Sequence, residues 1–346
     1  MTDLTVDVST APAKYSKLGG RGLTSNLISA EVSPECHPLG PNNKLVFAPG
    51  IVTGTAAPSS GRISVGAKSP LTGGIKESNS GTPFSQSLAR LGYKAIVIEG
   101  QPENKEDLYL LKVTEDDAEL VCANELQGKG AYETVTNLNE QYERYDVCCI
   151  GPAGERKMTM AGICFNDPEY RASRYSGRGG LGAVMGSKGL KAIVVEKGGC
   201  PITPINEDVF KAGQRKLVEG LRSHGVTQPG GTLNTFGTAA LINVLNQAGG
   251  LPTRNFREGV FEGAEKISGE YMAEVIKERG GAGMTGHACH PGCVIRCSNV
   301  YPRPDGSDHV SCIEYESAWS LGANLGVDNL DHVAEMIRIC NDVGID

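Results

Sequence analysis

The segment from residue 50 to residue 81 constrains the fold of this chain most, because it is dense in glycine, serine, threonine and proline. That density excludes an amphipathic helix. Apolar residues nevertheless recur inside the segment, which indicates a folded structure and not a flexible linker. We therefore predict a turn-rich β structure with apolar positions at Ile51, Val52, Ile63, Val65, Leu71 and Ile75.

The same segment carries three polar side chains suited to a ligand, Arg62, Lys68 and Asn79. Glycine lets a backbone approach a bulky ligand closely and exposes its N–H groups. A fixed guanidinium suits a phosphate or a planar heterocycle, and the side-chain oxygen of Asn79 suits a hard cation such as Mg²⁺. From the residues alone, a ligand site and a β domain without a ligand are both open.

A family resemblance favours the ligand site. Residues 62–73, followed by Asn79-Ser80-Gly81, resemble the cofactor-binding segment of the aldehyde ferredoxin oxidoreductase family, which are tungsten or molybdenum bis-pterin enzymes. The resemblance implies that Arg62, Asn79, Ser80 and Gly81 contact a tungstopterin (a bis-molybdopterin with W or Mo), and that Asn79 binds Mg²⁺. It covers the chain from Gly19 to the last residue.

A second glycine-rich segment, residues 177–182, matches the string of a dinucleotide-binding fingerprint. We reject that interpretation, because we predict no strand immediately before it and no βαβ unit around it. A phosphate-loop lysine is also excluded, since Lys188 does not follow the required spacing.

This second segment resembles the family's other pterin-contact loop. The extra residues between Ala172 and Gly177 leave Arg171 and Arg174 as alternative contacts. The resemblance implies that Ala172 also binds Mg²⁺. The residues implied to line the cofactor are Arg171, Ala172, Arg178, Gly179, Gly180 and Gly182.

The chain has eleven cysteines, of which Cys289, Cys293 and Cys297 form one tight cluster. An odd total with one cluster favours reduced thiols and a metal site over a disulfide framework. The spacing alone leaves an iron–sulfur cluster, zinc and inert thiols open, with His287 and His290 close by. The family resemblance implies a [4Fe–4S] cluster on the three cysteines, although the first gap here is one residue longer, and implies that both histidines are loop residues.

The segment 314–326 resembles the one that follows the cluster in the family, where the residue matching Glu316 lines the substrate pocket and handles protons. From the residues alone, the favoured interpretation of Glu316 is a helix-surface glutamate, because charged residues are mostly exposed. Some family members bind a bridging metal through a Glu-x-x-His motif. Here Glu335 is followed by Arg338, so that site is not expected.

The length of 346 residues suits two domains, and we predict boundaries at 1–203 and 204–346. The predicted fold class is α+β. A β-sheet-based pterin-binding domain is followed by a mainly helical domain that holds the cysteine loop, and the family's C-terminal domain is absent.

The net charge of −7 without a basic block excludes nucleic acid as a partner. No apolar run approaches the roughly 20 residues of a membrane span, and no secretion signal is present, so we expect a cytoplasmic protein.

By resemblance, the expected reaction oxidises an aldehyde to a carboxylate and passes electrons through the cluster to ferredoxin or an iron–sulfur partner subunit. We expect a second chain to supply the C-terminal portion of the family. Three alternatives stay open: a family branch that reduces an aromatic acyl-CoA, a non-catalytic assembly or electron-transfer subunit, and a zinc-stabilised binding protein.

Overall fold

A computed structural model describes residues 1–199 and 202–345. The chain divides into two compact units. One comprises Met1–Glu207 with the chain from Asn341 on, and the other comprises Asp208–Cys340. The predicted boundary lies close to Cys200 and Pro201, which are outside the described residues. The domain limits at 203 and 204 stay a prediction.

The first unit contains an antiparallel four-stranded sheet in the order β3-β2-β1-β4. All five residues of β1 are buried, as its uninterrupted apolar sequence predicts for a central strand. The glycine-rich segment forms the β2–β3 hairpin of this sheet, which confirms that it is folded. The strands are β1 (Leu45–Pro49), β2 (Arg62–Lys68), β3 (Ile75–Gly81) and β4 (Ile96–Ile98).

A second sheet of six strands has the order β6-β5-β10-β7-β8-β9. Only β10 and β5 pair in parallel, and the other neighbours are antiparallel. Strands β5 and β6 form a hairpin across the acidic turn at 115–117. The strands are β5 (Tyr109–Val113), β6 (Ala118–Cys122), β7 (Tyr145–Cys149), β8 (Ile163–Asn166), β9 (Ala172–Ser176) and β10 (Leu190–Glu196).

The two sheets share one hydrophobic core, in which Phe47 and Val65 of the first sheet join Phe165 and Ile193 of the second. Burial of such side chains is worth roughly 25 cal/mol per Å² of apolar surface. The helices of this unit are α1 (Gly20–Glu31), α2 (Pro83–Arg90), α3 (Ala131–Gln141), α4 (Pro152–Glu155) and α5 (Leu181–Ser187), with 3-10 turns at Ala13–Tyr15 and Asn124–Leu126.

The second unit is mainly helical and has its own core. It also contains a three-stranded sheet, β11 (Met284–His287), β12 (Ser298–Pro302) and β13 (Asp308–Val310), in the order β11-β12-β13. Its helices are α6 (Glu207–Ser223), α7 (Thr232–Phe236), α8 (Leu241–Gln247), α9 (Gly269–Arg279), α10 (Tyr315–Leu321) and α11 (Leu330–Val343), with 3-10 turns at Thr238–Ala240, Ala264–Ile267 and Ala323–Leu325.

The predicted α+β class is confirmed, but one premise about the second glycine-rich segment is wrong. Strand β9 ends at Ser176, directly before the fingerprint-like glycines, and α5 and β10 follow. Strand β9 escapes a sequence-based assignment because Ala-Ser-Arg-Tyr-Ser has no apolar run. The dinucleotide fold stays excluded, because β9 and β10 run antiparallel with two strands between them. No helix of the described residues is long and apolar enough to cross a membrane.

Candidate functional site

The register of the β2–β3 hairpin places the predicted cofactor residues together. Arg62 lies opposite Gly81, and Ser64 lies opposite Asn79. Because alternate residues of a strand share a face, these four residues lie on one side of the hairpin. The Arg62 Nε donates a hydrogen bond to Asn79 Oδ1, and Asn79 Nδ2 donates to Ser64 Oγ at 3.0 Å. The exposed guanidinium of Arg62 is thus held in a fixed orientation.

Helix α1 lies over the same face of the hairpin. A Cβ on Gly66 would lie 2.6 Å from the Cβ of Thr24, so only glycine allows the helix to pack this closely. Arg21 pairs with Glu77 at 3.0 Å on that face. The first turn of α1 begins at Gly20 and has no side-chain cap, so its backbone N–H groups are available to a ligand.

Strand β9 runs beside β3, where the edges of the two sheets meet. Ser176 Oγ lies 3.5 Å from the carbonyl oxygen of Ser78. At the other end, Thr82 Oγ1 donates to the carbonyl of Asn166 at 2.9 Å, and Asn166 is the register partner of Ala172. Both segments predicted to bind the cofactor therefore lie along β3.

The glycine loop after β9 also lies against the hairpin. Ser69 Oγ donates to the carbonyl of Gly179 at 2.6 Å. A Cβ on Gly180 would overlap the carbonyl oxygen of Thr159, and one on Gly182 would overlap that of Gly162. Gly180 also has a φ of +71°. Packing within the chain thus requires glycine at both positions, independently of any ligand.

Arg171, Arg174 and Arg178 differ in their surroundings. Arg171 holds the turn before β9, since its Nε and Nη2 pair with Asp167 at 2.8 Å and Glu169 at 3.0 Å. Arg174 is 7% exposed on β9, and Arg178 is exposed. Of the two positions left as alternatives, Arg174 is buried and Arg171 is half-buried and held in ion pairs, whereas Arg178 is exposed.

In the second unit, the cysteine loop connects β11 to β12. The ligand atoms of Cys289, His290 and Cys293 lie within 4.8 Å of one another, and Cys297 is not part of this group. The hydrogen bond from the Cys289 thiol lowers the pKa of Cys293 to about 5, against the opposing effect of burial. The N–H of Arg296 also points at Cys293 Sγ, at 3.4 Å. A thiolate beside a second thiol and an imidazole is a donor set for a soft or borderline metal ion.

The two glutamates of the 314–316 segment also differ. Glu314 is the N-cap of α10 and accepts hydrogen bonds from Thr238 Oγ1 and from Cys312 Sγ, the latter at 2.9 Å. Glu316 is exposed in the first turn of α10, where the helix dipole favours a carboxylate. The positioned carboxylate of this segment is therefore Glu314.

Models of known protein families match both parts of this sequence. A family model described as the N-terminal domain of aldehyde ferredoxin oxidoreductase matches residues 1–197. The chain belongs to the aldehyde ferredoxin oxidoreductase family. A second model, for domains 2 and 3 of the same family, matches residues 212–346.

Family relatives agree with this membership, and a solved structure shares the fold. The tungsten-containing aldehyde ferredoxin oxidoreductase of Pyrococcus furiosus is 40% identical over 332 residues, which cover 95% of this chain and 52% of that protein. The enzyme of the same name from Thermococcus kodakarensis is 39% identical, covering 99% and 55%. The active-site complex BamBC of benzoyl-coenzyme A reductase, solved with 1,5-dienoyl-CoA, shares the fold, with a TM-score of 0.76 at 24% identity over 98% of this chain and 51% of that one. The chain spans about half the length of the curated relatives it matches.

The sequence analysis missed Ser64, Thr238, Cys312 and Glu314. The Ser64 contact follows from the hairpin register, which strand pairing alone could have revealed. Cys312 and Glu314 are near neighbours in sequence, but Thr238 reaches Glu314 only through tertiary packing.

Proposed function

We propose that this chain is part of a tungsten- or molybdenum-bis-pterin oxidoreductase that oxidises an aldehyde to a carboxylate. The main support is the position of two segments, one around Asn79 and one around Arg178. They are about a hundred residues apart in sequence, yet both lie along strand β3. The first segment presents an exposed guanidinium and an amide oxygen toward the end of β3. The second presents an exposed guanidinium next to Gly179, which packs against Ser69 and Lys76 near the start of β3. Such a surface fits a ligand with a planar heterocycle and phosphates.

The roles of the residues follow from their chemistry. Arg62 and Arg178 would bind phosphate or pterin atoms, with Ser80, Gly81 and Gly179 shaping the surface. Asn79 and the carbonyl of Ala172 would offer oxygen ligands to Mg²⁺. When bound, the metal bis-pterin would supply two-electron redox chemistry, and the protein would bind and orient it. The remaining assigned positions, Arg171, Gly180 and Gly182, would set the shape of the loop.

The cysteine loop would hold the electron-transfer centre. Cys289, Cys293 and Cys297 would bind a [4Fe–4S] cluster from which electrons leave to ferredoxin or an iron–sulfur partner subunit. The position of His290 beside two of the thiols favours zinc as the alternative metal. Metal analysis separates the two.

A carboxylate of the 314–316 segment would hold or move a proton of the substrate. We keep Glu316 as the residue implied by the family and add Glu314, whose orientation is fixed by Thr238 and Cys312. Replacing each in turn by glutamine in the active protein distinguishes them. The larger loss of kcat identifies the residue that handles the proton.

The complete enzyme would contain a second chain that supplies the remainder of the family architecture, and it would act in the cytoplasm. None of the ten cysteines among the described residues forms a disulfide, which suits a reducing compartment. Reduction of an aromatic acyl-CoA is the alternative reaction. Assays with aldehydes and with aromatic acyl-thioesters on the same preparation decide between them.

The decisive experiment is elemental analysis of protein purified anaerobically from its own host together with any co-purifying chains. We expect tungsten or molybdenum near one per complex, and about four irons per cluster. Arg62→Ala should lose the pterin metal and keep the iron, whereas Cys289→Ser should lose the iron. Arg156→Ala, at an exposed arginine of the same unit, is the control that should lose neither. Zinc alone, or equal losses in all three variants, would overturn the proposal.

A further inference from the structure

Helix α6, Glu207–Ser223, is amphipathic but buries none of its residues in the described chain. At 100° per residue, its apolar side chains fall on one half of the helix surface. A globular protein normally buries such a stripe. Helix α9, for comparison, buries Met272, Val275 and Ile276 in the core of the same unit. The apolar residues of the α6 face are Val209, Phe210, Leu217, Val218 and Leu221.

Two of the five apolar side chains of this face are exposed, and Phe210, Val218 and Leu221 are half-buried. Val209 is 68% exposed and Leu217 is 48% exposed. The positions of Phe210, Leu217 and Leu221 correspond to i, i+7 and i+11, the spacing by which a helix inserts anchors into an apolar groove. Covering these side chains would remove apolar surface from water at roughly 25 cal/mol per Å².

Two glycines on the same face point to close approach by another backbone. Gly213 and Gly220 are two helical turns apart, and a Cβ on either would meet no atom within 4 Å. Glycine inside a helix costs about 1 kcal/mol relative to alanine. Packing within the described chain therefore gives no reason for glycine at either position. A second helix that packs closely against them does give one, since small residues let helix backbones approach.

We propose that the apolar face of α6 is the docking surface for an amphipathic helix from the second half of the family architecture. The relatives are about twice as long as the shared region, and the family model of domains 2 and 3 begins its match inside α6. Lys211, Arg215 and Arg222 flank the apolar face along one edge, so the docking helix carries acidic residues on its matching edge. The proposal rests on the proposed function, because it takes the complete enzyme to contain that second half.

Photo-crosslinking in the protein from its own host tests the contact. Leu217 is replaced by p-benzoylphenylalanine, and Glu219, on the polar face of α6, receives the same replacement as the matched control. After irradiation, crosslinked peptides are sequenced. We expect Leu217 to crosslink to a helix whose sequence matches the second half of the relatives, and Glu219 to give less than a tenth of that yield. A crosslink to a second copy of α6, equal yields at both positions, or no crosslink at Leu217 would overturn the proposal.

Alanine substitutions give a second, independent readout. Gly213→Ala with Gly220→Ala should slow amide hydrogen exchange of α6 in the isolated chain, because alanine is the better helix former. The same pair should weaken assembly at least tenfold, measured as the dissociation of the complex on dilution, while Glu219→Ala leaves it within twofold. Unchanged assembly would refute the close approach. Metal content measured on the same samples reports separately on the proposed function, since docking can persist without bound metal.

Discussion

Lys188 links the two segments that carry the candidate cofactor site, and its removal tests that link. The residue directly follows α5 and is completely buried. Its ammonium donates to the carbonyls of Gly40 at 3.0 Å, Pro41 at 3.2 Å and Asn43 at 2.5 Å. Asn43 in turn bonds the backbone of Lys68 at the end of β2 through both ends of its amide. Lys188 thus connects the glycine loop and α5 to the β2–β3 hairpin.

Two opposing contributions set the effect of Lys188→Met at pH 7. The variant leaves three buried carbonyls without this donor, at about 1–3 kcal/mol each. The variant also removes the free-energy cost of burying the Lys188 charge. The lowered pKa of Lys188 measures that cost. Burial lowers the pKa of Lys188 to about 8 from an ordinary 10.5, a difference worth about 3 kcal/mol. The lost hydrogen bonds are the larger contribution, so we expect a net destabilisation of about 3 kcal/mol.

The pH dependence gives the sharper readout. Below pH 8, Lys188 is protonated in both the folded and the unfolded chain. It therefore does not make the free energy of unfolding depend on pH in that range. Between pH 8 and pH 10.5 the unfolded chain holds more protons, so the free energy of unfolding of the wild type rises with pH through this group. Lys188→Met should lack that rise.

Urea unfolding followed by circular dichroism at pH 7, 8, 9 and 10 measures the effect as a difference between wild type and variant, which cancels the titration of other groups. Lys17→Met, at an exposed lysine of the same unit, should track the wild type at every pH. If the wild-type and Lys188→Met curves stay parallel from pH 7 to pH 10, the Lys188 ammonium is not a buried charge and the reasoning is refuted.

Three further predictions concern stability. Gly180→Ala should cost more than 3 kcal/mol in urea unfolding, since its Cβ would overlap a backbone carbonyl, whereas Gly73→Ala, with a similar φ of +73° but open space, should cost only about 1 kcal/mol. Ser268→Ala should cost about 1 kcal/mol, because the Ser268 side chain caps α9. Arg279 holds the pKa of Asp331 below its ordinary 3.8. The pair therefore stabilises the fold above that pH, and this stabilisation is lost as the pH falls and Asp331 becomes protonated. Asp331→Asn should therefore flatten the acid-unfolding curve.

Local sequence signals account for much of the secondary structure. The hairpin of β5 and β6, the N-cap of α9 and the strand character of residues 50–81 each follow from the identity of neighbouring residues. Strand β9 did not, because its residues are polar and its strand conformation comes from pairing with β8. Helix α7, at Thr232–Phe236, is likewise hard to assign from sequence, since its glycine- and threonine-rich flanks are typical of turns.

The candidate site was predictable to the extent that its residues are near one another in sequence. Arg62 and Asn79 sit on paired strands of one hairpin, so their contact follows once the register is known. The ion pairs of Arg171 and the hydrogen bonds that fix Glu314 depend on how a turn and a helix terminus are packed. A sequence pattern marks such residues as candidates for a site, but it does not reveal which residues they pair or form hydrogen bonds with.

The glycines of the second segment show why a glycine-rich pattern is weak evidence for a cofactor. Gly180 and Gly182 would be required even if the chain bound nothing, because neighbouring carbonyls occupy the space that a side chain needs. Side chains carry the ligand-specific information instead. Arg62 and Arg178 present exposed guanidinium groups beside β3. Because these groups lie outside the hydrophobic core, they do not contribute to its packing. Substitution of these two arginines therefore separates cofactor binding from folding, whereas substitution of the loop glycines cannot.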